Sequence, residues 1–183
     1  MADVNRIGAR AKIGVTLAAG TLLLTATVLS AGAETVRWRT ILGASPTSLN
    51  EATTPPTPVQ NSVGNIPPGG LPWSTLRGRA KVDLATGQVD FEVEGLVLAG
   101  GGAIGTPDSI NQVKGTVVCV VGATTVALDT VLVPLSAQGN VDFSGSVGPI
   151  PSACTASNVA FLVRRDIGRW IAYGAVRTSA KDQ

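Results

Sequence analysis

The chain has 183 residues, of which 44% are hydrophobic and 14% charged, and it carries a formal net charge of +2. It contains no histidine, which excludes Ser-His-Asp and Cys-His nucleophiles and removes the commonest general base and zinc ligand. Three of the 14 Lys/Arg and one of the 12 Asp/Glu precede Glu34, so the chain that follows is neutral. A neutral chain gives no support for binding to nucleic acid.

Residues 1–33 have the layout of a secretory signal peptide. An uncharged apolar run from Ile13 to Leu29 is followed by Ala31 and Ala33, the small-x-small pattern that signal peptidase reads. The run is preceded by three basic residues, Arg6, Arg10 and Lys12. We therefore expect a signal helix, cleavage after Ala33, and a protein that is secreted, periplasmic or at the cell surface. The alternative is an uncleaved membrane anchor, because the run approaches the roughly 17–25 residues of a spanning helix.

Residues 34–183 have the length of a single domain. Apolar and polar residues alternate from Val36 to Ile41 and predict the first strand. Between Gly43 and Trp73, seven prolines fall among Ser, Thr, Asn and Gly, so neither helix nor strand is expected there. Such a long loop can be a ligand site. We favour a segment laid across the sheet and pinned by four apolar residues, Leu49, Ile66, Leu71 and Trp73.

The stretch from Arg77 to Leu96 predicts a β hairpin, with its turn at Ala85-Thr86-Gly87-Gln88. Apolar and charged residues alternate along both strands, so one face is expected to be buried and the other solvated. Pairing Leu84 with Val89 keeps the apolar residues together. That register places Lys81 opposite Glu92 and Arg79 opposite Glu94. It predicts a face of mutually paired charges: Arg79, Lys81, Glu92 and Glu94.

Further strands are expected after the glycine-rich stretch Gly100–Gly105, which we interpret as a flexible connection. The patterned segments are Val113–Val121, Thr125–Leu135 (one strand, or two joined by a kink), Asn140–Val147, Val159–Arg164 and Trp170–Arg177. No stretch after the signal region shows a sustained helical period. The sequence therefore predicts an all-β fold, an antiparallel β-sandwich or partly open barrel of about seven to nine strands.

The two cysteines, Cys119 and Cys154, are expected to form a disulfide in an exported chain. The alternative is a pair of reduced thiols, one of them a nucleophile. We favour the disulfide, because the chain has no histidine to activate a thiol.

Three groups of side chains are candidates for chemistry. An acidic stripe (Asp83, Asp90, Glu92 and Glu94) could serve glycoside hydrolysis or bind calcium, although a charge-paired face is the commoner use. A basic group (Arg164, Arg165 and Arg169, around Asp166) could bind a carboxylate, a phosphate or a sulfated sugar, although a soluble hairpin tip is the simpler interpretation. An aromatic group (Trp38, Trp73, Trp170 and Tyr173) could stack on sugars, but the strand positions of Trp38 and Trp170 favour the core. We predict no catalytic residue, no metal ligand and no cofactor.

A strand and a Pro-rich spacer precede Gly78-x-Ala80-x-Val82, Thr86-Gly87 and Phe91-x-Val93-x-Gly95-Leu96. This arrangement resembles the opening of the CHRD (chordin-type) domains of exported bacterial proteins, over Thr40 to Val97. The resemblance implies a β-sandwich-like module without established catalysis. The family's histidine-containing segment has no counterpart here, so the resemblance supplies no functional residue.

The sequence is thus interpreted as an exported, non-enzymatic binding or structural module with a protein or glycan partner. It would contact a membrane only through an uncleaved signal segment. The alternative is an extracellular glycan hydrolase that uses a carboxylate pair. Two stripe carboxylates in a cleft, unpaired by Arg79 or Lys81, would favour the hydrolase, whereas an open and paired face would favour the module. Calcium-stabilised adhesion is a third hypothesis.

Overall fold

The computed structural model describes residues 34–179, so the expected signal helix and the cleavage site at Ala31 and Ala33 lie outside the described residues. All regular structure within this range is β, which confirms the all-β prediction. The strands are β1 (Thr35–Gly43), β2 (Thr47–Asn50), β3 (Thr57–Gln60), β4 (Trp73–Ser74), β5 (Arg77–Asp83), β6 (Gln88–Glu94), β7 (Val97–Leu98), β8 (Gln112–Val121), β9 (Thr124–Asp129), β10 (Val133–Pro134), β11 (Val141–Ser146), β12 (Val159–Arg165) and β13 (Trp170–Ser179). The described part contains no helix that could cross a membrane.

Nine strands form one antiparallel sheet in the order β10-β8-β12-β13-β1-β5-β6-β11, with β9 also paired to β8. This sheet curls into a half-barrel, in agreement with the predicted partly open barrel. The other strands form two small pairs, β2 with β3 and β4 with β7. The segment Thr125–Leu135 forms two strands, β9 and β10, as in the predicted alternative of two strands joined by a kink. Pro134 lies in the short outer strand β10, where a lost backbone donor is tolerated.

The interior of the half-barrel holds an aromatic cluster that contains all three phenylalanines of the chain. The ring centroid of Phe161 lies 5.8 Å from that of Trp38 and 5.3 Å from that of Phe91. The ring of Phe91 lies a further 5.6 Å from that of Phe143. Because β6 and β12 are four places apart in the sheet, the contact between Phe91 and Phe161 requires the sheet to curl.

Two glycines make room for these rings. A Cβ atom added at Gly174 would lie 2.5 Å from Cγ and Cδ1 of Trp38. One added at Gly115 would lie 2.7 Å from Cε1 of Phe91. The two rings therefore pack directly on the backbones of β13 and β8. A larger residue at either glycine would prevent this close contact.

The charged hairpin of β5 and β6 has the predicted faces, but the predicted register is wrong by two residues. Arg79 opposes Glu92, Arg77 opposes Glu94, and Lys81 opposes Asp90. The predicted pairs were Lys81 with Glu92 and Arg79 with Glu94. A shift of two residues leaves every side chain on its own face, so the alternation could not reveal the error.

The turn explains the register. Asp83 Oδ1 accepts hydrogen bonds of 3.0 Å from the N–H groups of Ala85 and Thr86. The N–H of Gly87, which has a φ of 71°, donates to the carbonyl oxygen of Asp83 at 2.9 Å. Leu84 is thereby held within the turn and cannot pair with Val89, which pairs with Val82 instead.

The Pro-rich segment between Gly43 and Trp73 contains a hairpin that the sequence did not predict. Its strands, β2 and β3, are exposed at every residue and are paired only with each other. Ile66 and Trp73 are buried as expected, but Leu49 and Leu71 are 63% and 43% exposed. Leu49 therefore does not hold the Pro-rich segment against the sheet. The two ends of the segment are held by backbone hydrogen bonds, such as the one of 2.8 Å from the Trp73 N–H to the carbonyl of Ala44.

Cys119 and Cys154 form the predicted disulfide, which ties the core strand β8 to the loop before β12. The two cysteines are 35 residues apart in sequence. A cross-link of that span restricts the unfolded chain and stabilises the fold by about 3–4 kcal/mol in the chain-entropy model.

Gly174→Ala is expected to lower the free energy of unfolding by about 1–3 kcal/mol, because the new methyl group overlaps the near side of the Trp38 ring. Denaturant unfolding measures the change. Gly102→Ala is the matched control, because nothing lies within 4 Å of a Cβ at that position, and it should change stability by less than about 0.5 kcal/mol. Equal stabilities of the two variants would contradict the close packing of Trp38 on Gly174.

Replacing both Cys119 and Cys154 by alanine is expected to cost about 3–4 kcal/mol. The midpoint of thermal unfolding should fall by roughly 2–4 °C for each kcal/mol lost. A reductant should destabilise the natural protein and leave the double variant unchanged. A natural protein indifferent to reductant would show that the bridge does not stabilise the fold.

Candidate functional site

An open groove of about 620 Å³ lies on the outer face of β1, β5, β6 and β11, opposite the aromatic cluster. We call it the charged groove. Each strand contributes a central residue to the floor and its two neighbours to the walls. The polar lining is Arg37, Arg39, Arg79, Lys81, Asp90, Glu92, Asp142 and Ser144.

The register of the four strands arranges these side chains in rows. One row runs Arg37, Lys81, Asp90, Ser144, in which each residue is the direct cross-strand partner of the next. In the second row, Arg79 opposes Glu92 and Glu92 opposes Asp142. The groove is therefore basic on β1 and β5 and acidic on β6 and β11. It spans three strand spacings, about 14 Å.

Part of this charge is neutralised within the protein. Arg79 Nη2 lies 2.7 Å from Glu92 Oε2, and beside the groove Arg77 Nη2 lies 2.6 Å from Glu94 Oε1. The hydroxyl of Ser144 donates to Asp90 Oδ1 at 2.5 Å. Of the four residues predicted to pair, Arg79 and Glu92 form an ion pair with each other, Glu94 pairs with Arg77 instead, and Lys81 forms no ion pair within residues 34–179.

Some charged residues of the groove have no partner of opposite charge in the described part of the chain. Within residues 34–179, Arg37, Arg39 and Asp142 form no ion pair. Moreover, Arg37 opposes Lys81 and Asp142 opposes Glu92. Like charges directly opposite one another are destabilising by about 0.2–1 kcal/mol. An anionic group would relieve the repulsion between Arg37 and Lys81, and Glu92 and Asp142 can accept hydrogen bonds from neutral donors such as hydroxyl groups.

The sequence alone does not predict that these residues lie side by side. Arg37 and Arg39 lie some 40 positions before their partners on β5, and Asp142 lies 50 positions after Glu92. The patterns Arg-Trp-Arg and Asp-Phe-Ser are visible in the sequence. Their place beside the hairpin depends on the strand order β1-β5-β6-β11, which alternation does not encode.

The predicted basic group of three arginines does not form one site. Arg164 donates through Nε to the carbonyl of Gly168 at 2.7 Å and through Nη1 to Asp129 Oδ1 at 3.0 Å. Arg169 Nη1 donates to the carbonyl of Pro68 at 3.1 Å. Both therefore hold the fold together, and Arg165 alone of the three has no side-chain partner in the described part of the chain.

Asp129 is the centre of a compact polar cluster on the outer face of β8, β9 and β12. Its carboxylate lies 2.6 Å from Lys114 Nζ and accepts a hydrogen bond of 2.7 Å from Thr116 Oγ1. Burial is the largest single influence and raises the pKa of Asp129. The hydrogen bonds from Lys114 and Thr116 and the charges of Arg164 and Lys114 outweigh it, so the pKa lies below its ordinary value.

The remaining candidate residues from the sequence have structural roles. Asp83 closes the hairpin turn, and the hydrogen bond from the Thr86 N–H is the main cause that lowers its pKa. Trp38 and Trp170 are 3% and 4% exposed, as expected for core residues. Residues 34–179 contain no group of three or more Cys, Asp or Glu side chains that could hold a metal ion.

The chain matches no protein-family model, no curated protein and no solved structure. The resemblance to CHRD domains stays a prediction from the motifs of the hairpin. What the chain binds is accordingly inferred from its own grooves and charges.

Asp129→Asn is expected to lower stability by about 2 kcal/mol at neutral pH, because it leaves Lys114 and Arg164 partly buried without a counter-charge. The folded pKa is lowered, so the contribution is complete above the unfolded value of about 3.9 and is lost as the pH falls through the folded value. The gap between the natural protein and the variant should therefore narrow below about pH 4. Denaturant unfolding across pH 3–7 measures it, with Asp166→Asn, at an exposed position, as the control. A gap that is independent of pH would contradict this role.

Proposed function

We propose that the protein is an exported, non-enzymatic binding module of the cell envelope or the extracellular space, and that the charged groove binds an anionic glycan. One observation carries the proposal: the groove opposes like charges on each wall, and within residues 34–179 it leaves Arg37, Arg39 and Asp142 without an ion pair. Their arrangement favours an external partner.

The chemistry of the two walls indicates what that partner carries. Arginine side chains on β1 offer forked donors to a carboxylate or a sulfate. Carboxylates on β6 and β11 accept hydrogen bonds from hydroxyl groups. An acidic polysaccharide presents both anionic groups and hydroxyls along one chain. It would lie across the strands, with its anionic groups on β1 and its hydroxyls toward Asp142.

The groove suits a glycan better than a protein surface. Its floor residues Trp38, Ala80 and Phe91 are at most 4% exposed, so they offer almost no apolar surface, and the fourth floor residue, Phe143 on β11, is half-buried. Protein interfaces depend on buried aromatic and aliphatic anchors at their centre. A polar ligand that meets charged walls over a closed floor needs no such anchor.

Two features support export. The chain opens on a sequence with the layout of a signal peptide, and its two cysteines form a disulfide. Disulfides persist in oxidising compartments outside the cytosol. Both features agree with a secreted, periplasmic or surface location.

A hydrolase is the second candidate, because Glu92 and Asp142 are adjacent carboxylates inside the groove. Paired carboxylates are the catalytic groups of most glycosidases. Here Glu92 is engaged by Arg79 at 2.7 Å, and Asp90 is engaged by Ser144. This pairing favours binding without cleavage.

The test uses immobilised polygalacturonate, dextran sulfate and neutral dextran, with binding of the full chain measured at constant salt. We expect binding to one or both acidic polymers and none to dextran. Arg37→Gln and Arg39→Gln should each weaken binding about tenfold or more, the size of a charge-assisted hydrogen bond. Arg165→Gln removes the same charge outside the groove and should bind as the natural protein does.

Equal binding to dextran, or binding that Arg37→Gln and Arg39→Gln leave unchanged, would overturn the proposal. Release of reducing ends from a bound polymer distinguishes the hydrolase. If such release occurs and is abolished by both Glu92→Gln and Asp142→Asn, the protein is an enzyme.

A further inference from the structure

A much smaller pocket, of about 180 Å³, lies between the segment before β4, the loop before β8 and Arg165 at the end of β12. We call it the mouth pocket. The residues that matter to its chemistry are Gly70, Leu71, Trp73, Asp108, Ser109 and Arg165. None of them lines the charged groove, so a ligand of the mouth pocket is independent of the proposed glycan site.

Arg165 occupies a position that the strand pattern assigns to the interior. Along β12 it continues the alternate row of Phe161 and Val163, and it opposes Val113, which is fully buried. Its Nε is buried and has no hydrogen-bond acceptor among the described residues. A buried donor of a charged group is costly to leave unpaired. The two terminal guanidinium nitrogens of Arg165 are not among these buried atoms, and they are the ones that an acceptor bound in the pocket can reach.

Asp108 provides an opposite charge in the same pocket. It has a φ of 53°, a left-handed conformation uncommon for residues other than glycine. Thr106 Oγ1 accepts a hydrogen bond of 3.1 Å from its backbone N–H and helps to hold this turn. Asp108 and Arg165 line one pocket yet form no ion pair with each other. A ligand with both charges can therefore contact each of them.

The size of the pocket restricts that ligand. A volume of 180 Å³ corresponds to about six water molecules at the density of the liquid. Leu71, which is 43% exposed, adds an apolar wall, and a Cβ atom at Gly70 would meet nothing within 4 Å. A polymer is excluded by this volume, whereas a small molecule with a short apolar group is accommodated.

We propose that the mouth pocket binds a small zwitterionic amino acid, whose carboxylate is held by Arg165 and whose ammonium group is held by Asp108. The guanidinium offers its fork of donors to the carboxylate. Ser109 supplies a hydroxyl beside them, and the side chain of the ligand lies against Leu71.

The full chain is titrated with glycine, L-alanine, acetate and methylammonium, and binding is followed by calorimetry and tryptophan fluorescence. Glycine and L-alanine are expected to bind at least tenfold more tightly than acetate or methylammonium. Arg165→Gln should weaken L-alanine binding tenfold or more, and Arg165→Lys should weaken it less. Asp108→Asn should remove the preference for L-alanine over acetate, because asparagine tolerates the same backbone conformation but lacks the charge.

Arg37→Gln, in the charged groove, is the matched control and should bind L-alanine as the natural protein does. Circular dichroism and the unfolding midpoint establish that each variant is folded. The assignment is overturned if L-alanine does not bind at millimolar concentrations, or if folded Arg165→Gln binds it normally. Equal binding of acetate and L-alanine to the natural protein would refute the role of Asp108. If Arg37→Gln loses polysaccharide binding and keeps L-alanine binding, the two ligands bind at independent sites.

Discussion

The contact on which the rest of the structure depends is that of the Trp38 ring with the backbone of Gly174. It fixes how closely the Trp38 ring lies on the backbone of β13, and Phe161 and Phe91 continue the packing toward β8. These rings define the interior of the half-barrel, so the opposite face of β1, β5, β6 and β11 is left to solvent. The charged groove exists because the apolar side chains of four strands all turn the other way.

The arginines of this fold are of two kinds, those that pair with a carboxylate of the protein and those that do not. Arg79 and Arg164 neutralise carboxylates of the protein itself. Arg37 instead stands opposite Lys81, and Arg165 extends an interior row with a buried donor. The first kind of use contributes modestly to stability at an exposed position. The second kind of use lowers the stability of the protein by itself.

Alternation of apolar and polar residues predicts strands and faces, and here it predicted most of the large sheet. It cannot distinguish registers that differ by two residues, and the side chain of Asp83 decided between them by closing the turn. It also missed the hairpin of β2 and β3, whose hydrogen bonds are local and whose residues are all exposed. The charged groove depends on strand order, which arises from packing between segments far apart in sequence.

The pairing of β1 with β13 joins the two extremes of the described chain, since Val36 lies opposite Ser179. Both strands are in the middle of the sheet, so the half-barrel cannot close until the last strand is available. Contacts of such high sequence separation slow folding. Until then, β1 and β12 each present an unpaired edge to which another chain could add. A chain in which β13 has not yet formed therefore exposes two sheet edges in the middle of the fold.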